Sequence, residues 1–78
     1  MTQSYSATKI YSNDREKEAR VHSNRCLYTV WLSHGKVSLA GPGVDECCLA
    51  HELPLFDSFE DLAVYVTILF ENGLWPEE

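Results

Sequence analysis

The stretch CLYTVWLSHGKVSLA, residues 26–40, decides how the rest of the chain is read. Residues 26–33 are dense in β-branched and aromatic side chains, the composition of a strand on a half-buried pleated surface. His34-Gly35 then offers a two-residue turn, with residues 36–40 as the partner strand. With Ser33 opposite Lys36, the register places Leu32 beside Val37 and Val30 beside Leu39. Tyr28, Val30, Leu32, Val37 and Leu39 then share one face, because successive side chains point to opposite sides of a strand. Leu27, Thr29 and Trp31 point the other way.

Toward the C-terminus, Gly41-Pro42-Gly43 breaks the second strand, and residues 46–51 offer a third. It ends before Pro54, which lacks the N–H an inner strand position needs. Beyond it, Phe59, Leu62, Ala63, Val66, Leu69 and Phe70 recur at helical spacing and predict a helix over 59–72. Ser58 is a suitable N-cap, with Asp61 three residues on as a shortened capping box. Asp57, Glu60 and Asp61 place negative charge at the positive end of the helix dipole. Asn72-Gly73 supplies a left-handed stop, after which Leu74 and Trp75 fold back on the last turn before Pro76.

Toward the N-terminus, residues 5–11 alternate weakly like an edge strand, and residues 13–20 read as a short, highly charged helix or a turn. In a helix, Glu16 and Arg20 form an i,i+4 pair worth only about 0.2–0.5 kcal/mol, too little to order it alone. The expected fold is α+β: one small domain over residues 1–78, a three-stranded antiparallel sheet with a fourth N-terminal edge strand as an addition, packed on one C-terminal helix. Residues 1–25 carry the weakest pattern.

A chain of 78 residues has room for one core and buries only roughly 60 to 65% of the surface its unfolded form exposes. Its 45% hydrophobic and 23% charged residues belong to a globular protein rather than a disordered one. Asp61, Thr67 and Glu71 interrupt the apolar run of the helix, so nothing approaches the roughly 20 apolar residues of a membrane span. Met1-Thr2-Gln3-Ser4-Tyr5-Ser6 has neither the basic cluster nor the apolar run of a secretory signal. The three cysteines, Cys26, Cys47 and Cys48, are odd in number and lack the spacing of a disulfide framework. A cytoplasmic protein with reduced thiols is expected, with at most one of Cys47 and Cys48 facing the core.

Charge is polarised along the chain. All six basic residues, Lys9, Arg15, Lys17, Arg20, Arg25 and Lys36, lie in residues 1–36, beside three acids. The remainder has no base and nine acids: Asp45, Glu46, Glu52, Asp57, Glu60, Asp61, Glu71, Glu77 and Glu78. A helix-strand-strand-strand-helix reading would give the topology of double-stranded-RNA-binding domains. The Asp57-Ser58-Phe59-Glu60-Asp61 start of the last helix would repel a phosphate backbone, so direct nucleic-acid binding through it is not expected.

Reactive constellations are sparse. Cys47, Cys48 and His51 are the nearest to one, with Cys26, His22 and His34 elsewhere. Structural zinc sites present C-x(2–4)-C pairs, whereas a vicinal pair on a strand splits its thiolates across the sheet, so no metal or cofactor is expected. Asp45-Glu46 and Glu60-Asp61 lack the spacing of an acid/base pair or of a calcium loop. Gly41-Pro42-Gly43 does not match a phosphate-binding loop. The expectation is binding without catalysis.

Two surfaces suit a partner. On a helical wheel, Val64 and Ile68 fall opposite the core stripe, flanked by Glu60, Asp61 and Glu71, unless the N-terminal segment covers them. Trp31, on the second face of the sheet, is the residue type of an interface hot spot, unless strand 5–11 or a second copy lies over it. With Asp45 and Glu46, these residues suggest a small acidic inhibitor or adaptor that occupies a basic surface of a larger protein, a surface of the kind that holds nucleic acid. Immunity proteins, antitoxins and phage-encoded inhibitors of nucleases or CRISPR complexes have this size and charge, an analogy of class alone. The alternatives are a homodimeric accessory subunit, or a Cys/His metal or redox protein.

Overall fold

The computed structural model describes residues 5–23, 26–49 and 55–75. They form β1 (Ser6–Ser12), β2 (Glu16–His22), β3 (Leu27–Ser33), β4 (Lys36–Gly41), β5 (Val44–Cys48) and α1 (Phe59–Glu71). The strands make one antiparallel sheet in the order β1-β2-β3-β4-β5, a meander in which each strand pairs with the next. The architecture is α+β, with five strands where the sequence suggests three and an added edge.

The β3–β4 hairpin has the register read from the sequence: Ser33 opposite Lys36, Leu32 opposite Val37 and Val30 opposite Leu39. His34 and Gly35 both have positive φ, 53° and 78°. A two-residue turn of that kind matches the right-handed twist of the flanking strands. Tyr28, Val30, Val37 and Leu39 are buried on the face toward α1, with Leu32 half-buried beside them.

Residues 13–20 are not a helix. Glu16 onward is an inner strand, paired residue by residue with β3 from Glu16–Ser33 to His22–Leu27. Two causes act together. Asn13 Oδ1 accepts from the backbone N–H groups of Arg15 and Glu16, at 2.8 and 2.7 Å, which turns the chain before a helical turn can close. The sequence after it then alternates, with Ala19 and Val21 fully buried and Glu16, Arg20 and His22 exposed. A strand bonded on both sides gains far more than one i,i+4 ion pair offers a helix.

β5 starts two residues earlier than residues 46–51 suggest, because Pro42 and Gly43 alone make the turn, with Gly43 at φ 73°. The Leu49 N–H still donates to the Val37 carbonyl at 2.8 Å, while residues 50 and 51 lie outside the described residues. Cys47 pairs with Leu39 and Cys48 with Ser38, so the two thiols take opposite faces, both half-buried.

α1 packs over β1, β2 and β3. Ser58 Oγ accepts from the Asp61 N–H at 3.3 Å. At the other end the Leu74 N–H donates to the Leu69 carbonyl and the Gly73 N–H to the Phe70 carbonyl, the paired bonds of a Schellman motif, with Gly73 at φ 71°. Trp75 returns onto the last turn, its ring edge-on to Phe70 at 6.2 Å. The buried stripe is Phe59, Leu62, Ala63, Val66 and Thr67, so Thr67 faces inward where the apolar pattern names Leu69 and Phe70, both half-buried. Thr67 can be buried because its hydroxyl donates to the Ala63 carbonyl at 2.8 Å. None of the described helices is long and apolar enough to cross a membrane.

Three substitutions test this packing by chemical denaturation. Gly73→Ala meets no atom within 4 Å and should cost about 1 kcal/mol for its positive φ alone. Gly41→Ala should cost more, since its Cβ would lie 2.9 Å from Tyr28 Cδ1 and 3.1 Å from the Leu27 carbonyl oxygen. Val66→Asp should leave no folded protein, because it places an unpaired carboxylate at a fully buried position. A Gly41→Ala loss no greater than that of Gly73→Ala would contradict the close contact with Tyr28.

Candidate functional site

Helix α1 takes one face of the sheet, and among the described residues no element lies on the other. The register makes that outer face legible row by row. Tyr11 pairs with Glu18, Glu18 with Trp31, Trp31 with Ser38 and Ser38 with Cys48, one continuous row across all five strands. Strand β1 extends the sheet at its edge and does not cover Trp31, which is half-buried among its own neighbours.

Tyr11 reaches this face through an irregularity. Lys9 pairs with Ala19 on the helix side, but Tyr11 pairs with Glu18 on the outer side, so Ile10 is the extra residue of a β-bulge. Without it, strict alternation would turn Tyr11 toward the helix. Asn13 Nδ2 donates to the Tyr11 hydroxyl at 2.6 Å, so the residue that closes the β1–β2 turn also fixes the tyrosine. Tyr11, Glu16, Glu18, Thr29, Trp31 and Ser33 line a cleft of about 450 Å³, with Lys17 and Leu32 also at its walls.

Two more clefts adjoin this one. The first lies between the β1–β2 and β3–β4 turns, lined by Asn13, Asp14, Arg15, Glu16 and His34. The second lies between the sheet and the start of α1, lined by Lys17, Leu32, Phe56, Asp57, Ser58, Phe59 and Leu62. This end of the molecule therefore carries Asp14, Glu16 and Glu18 at the sheet and its turns, and Asp57, Glu60 and Asp61 at the helix start on the opposite face; together they outnumber Arg15, Lys17 and Lys36.

The opposite end is a closed polar cluster. Glu71 accepts from the Tyr5 hydroxyl at 2.6 Å and from the Ser23 hydroxyl at 2.7 Å. Ser23 Oγ also meets the Cys26 backbone, accepting from its N–H at 3.3 Å. Tyr28 lies beside them, edge-on to Phe70 at 5.7 Å. Burial, helped by the neighbouring Cys26 and Glu71, pushes the Tyr28 hydroxyl well above its ordinary pKa. These bonds tie the residue just before β1, the β2–β3 connection and the end of α1 together.

The residues proposed from sequence are spread over several surfaces. Trp31 lies on the outer face. Asp45 and Glu46 are exposed on edge strand β5, next to the β4–β5 turn and thus at the Glu71 end, away from Glu60 and Asp61. Glu71 is half-buried and held by two hydroxyls. Val64 is half-buried against the core and Ile68 is half-buried as well, so they are not an open apolar pair. On the same flank of the helix, Glu71 accepts from the Tyr5 hydroxyl, and α1 packs over β1 as well as β2 and β3. The helix instead exposes Asp61, Tyr65 and Asn72. Tyr11, Asn13 and Glu18 were missed, since nothing in residues 5–20 announces a bulge. Among the described residues, no three His, Cys, Asp or Glu side chains gather as metal ligands, and His51 lies outside them.

No protein-family model, curated protein or solved structure matches this chain.

The Tyr28 environment predicts an alkaline limb of instability. The folded state holds the Tyr28 proton more tightly than the unfolded chain, whose tyrosines titrate near 10. Its contribution is complete below about pH 10 and is lost as the pH rises beyond that. Urea midpoints should therefore fall between about pH 9 and about pH 11, and Tyr28→Phe should flatten that fall. An equally steep fall in Tyr28→Phe would place its cause elsewhere.

Proposed function

We propose that this chain is a small acidic protein-binding domain, an inhibitor or adaptor that docks on a basic surface of a larger protein, such as one that holds nucleic acid. The observation that carries the reading is Trp31, half-buried in a cleft on a sheet face that no other described element covers, beside the acid-rich end of the molecule. An aromatic centre with a charged surround divides the work of an interface. The ring supplies affinity on desolvation, and the charges supply orientation and on-rate. A formal net charge of −6 favours a basic partner at long range, over a screening length of roughly 10 Å at 0.1 M salt.

A second reading has its own observation. Strand β1 is an edge of the sheet and exposes Ile10 and Tyr11, about half of each. Strand-to-strand pairing of two copies along this edge would make a homodimer.

Capture of partners by the tagged protein at low and high salt separates these readings. The adaptor reading expects one dominant basic partner that is lost at high salt. Trp31→Ala and Asp61→Lys should each weaken the capture at least fivefold without changing the circular dichroism spectrum. Glu71 is unsuitable for such a test because it holds the fold. Recovery of the bait alone, as a dimer indifferent to salt, would overturn the adaptor reading in favour of the homodimer.

A further inference from the structure

We propose that the cleft between Tyr11 and Trp31 receives an arginine side chain from the partner, with Glu18 as its counter-ion. This rests on the reading that the partner surface is basic, and names the group on that surface that would be recognised. Tyr11, Glu18 and Trp31 occupy one row on three adjacent strands. At the ordinary strand spacing the two aromatic residues stand about 10 Å apart at the backbone, with the carboxylate between them. A cation seated midway stands about 5 Å from each of the two outer strands, inside the roughly 6 Å range of cation–π attraction.

The walls are set before any ligand arrives. The bulge at Ile10 aims Tyr11 onto the outer face, and the Asn13 amide holds its hydroxyl at 2.6 Å while the same side chain pins the turn. Ordering costs on binding fall accordingly. Glu18 is half-buried in the cleft, and among the described residues its carboxylate takes part in no hydrogen bond or ion pair. Glu16 adds a second negative charge, and of the lining residues Lys17 alone is basic. Lys17 pairs with Leu32 and Ser12 on the helix side of the sheet, so its stem leaves the opposite face from Glu18.

Arginine fits this geometry better than lysine. A planar guanidinium stacks on aromatic faces, sheds its hydration readily and offers two parallel N–H groups to one carboxylate. An ammonium is a compact, strongly hydrated point charge that does none of these as well. The cleft volume of about 450 Å³ admits the side chain and its stem.

The test titrates the whole protein with acetyl-Gly-Arg-Gly-amide and with its lysine counterpart, following the indole N–H resonances by NMR. The Trp31 signal is assigned by its loss in Trp31→Leu. The arginine peptide should shift the Trp31 indole saturably and leave that of Trp75 unmoved, with the lysine peptide at least threefold weaker. Glu18→Gln, which keeps the shape and strand pairing of the residue, should weaken arginine binding at least fivefold, and Tyr11→Leu should do likewise. Equal responses to the two peptides, or full binding by Glu18→Gln, would overturn the proposal. A basic partner that Glu18→Gln captures as well as wild type also overturns the cleft, yet leaves the adaptor reading standing. An arginine-specific shift without any basic partner in the capture experiment supports the cleft and removes that reading instead.

Discussion

The pair of positive φ angles at His34 and Gly35 is the constraint on which the other elements depend. A two-residue turn leaves no slack, so Ser33 must meet Lys36, and each later pair of β3 and β4 follows. Side chains on a strand alternate with a period of two. A slip of one residue would send Tyr28, Val30 and Leu32 into water and turn Thr29 and Trp31 under the helix. Strands β2 and β5 hang on β3 and β4, so they inherit the same division into an apolar face and an open one. The burial of Ala19, Val21 and Leu39 is set by a turn that none of them touches.

Features with a local signature were legible in the sequence. The hairpin register, the Ser58 cap, the Asn72-Gly73 stop and the orientation of Trp31 all follow from residues within a few positions of one another. Strand β2 was not legible, because charge dominates residues 13–20 and just two strongly buried side chains, Ala19 and Val21, mark its inner face. What makes it a strand is pairing on both sides, with β1 and with β3, neither of which shows in the side-chain pattern of residues 13–20 themselves. Thr67 is a related case, polar by type yet fully buried because its hydroxyl bonds within its own helix. Of the cleft, the sequence revealed Trp31 but not Tyr11. A bulge flips the facing of a side chain by a single offset, and any residue can occupy it.

The acids of this chain do different work at its two ends. Glu71 has its carboxylate engaged by the hydroxyls of Tyr5 and Ser23, so its charge is committed to holding three segments together. Removing it would strand hydroxyl donors that are themselves partly buried. At the other end Asp61 and Asp14 are exposed and Glu18 is half-buried in its cleft. The formal charge of −6 therefore overstates what one surface presents to a partner, since Asp45, Glu46 and Glu71 lie away from that end. Composition measures how acidic a chain is, while the topology decides where that acidity can be felt.

The meander also imposes an order in time. Every strand finds its neighbour across a short connection, so the sheet assembles from contacts near in sequence, the kind that form fastest. The helix is different: the hydrogen bond from Tyr5 to Glu71 joins residues 66 positions apart. As the chain leaves a ribosome, β1 and β2 emerge before the helix that covers them, and Ala19, Val21 and Val30 have no lid until α1 has followed. In that interval the nascent sheet is a sticky surface, and a chaperone that shields apolar strands would have its natural moment there.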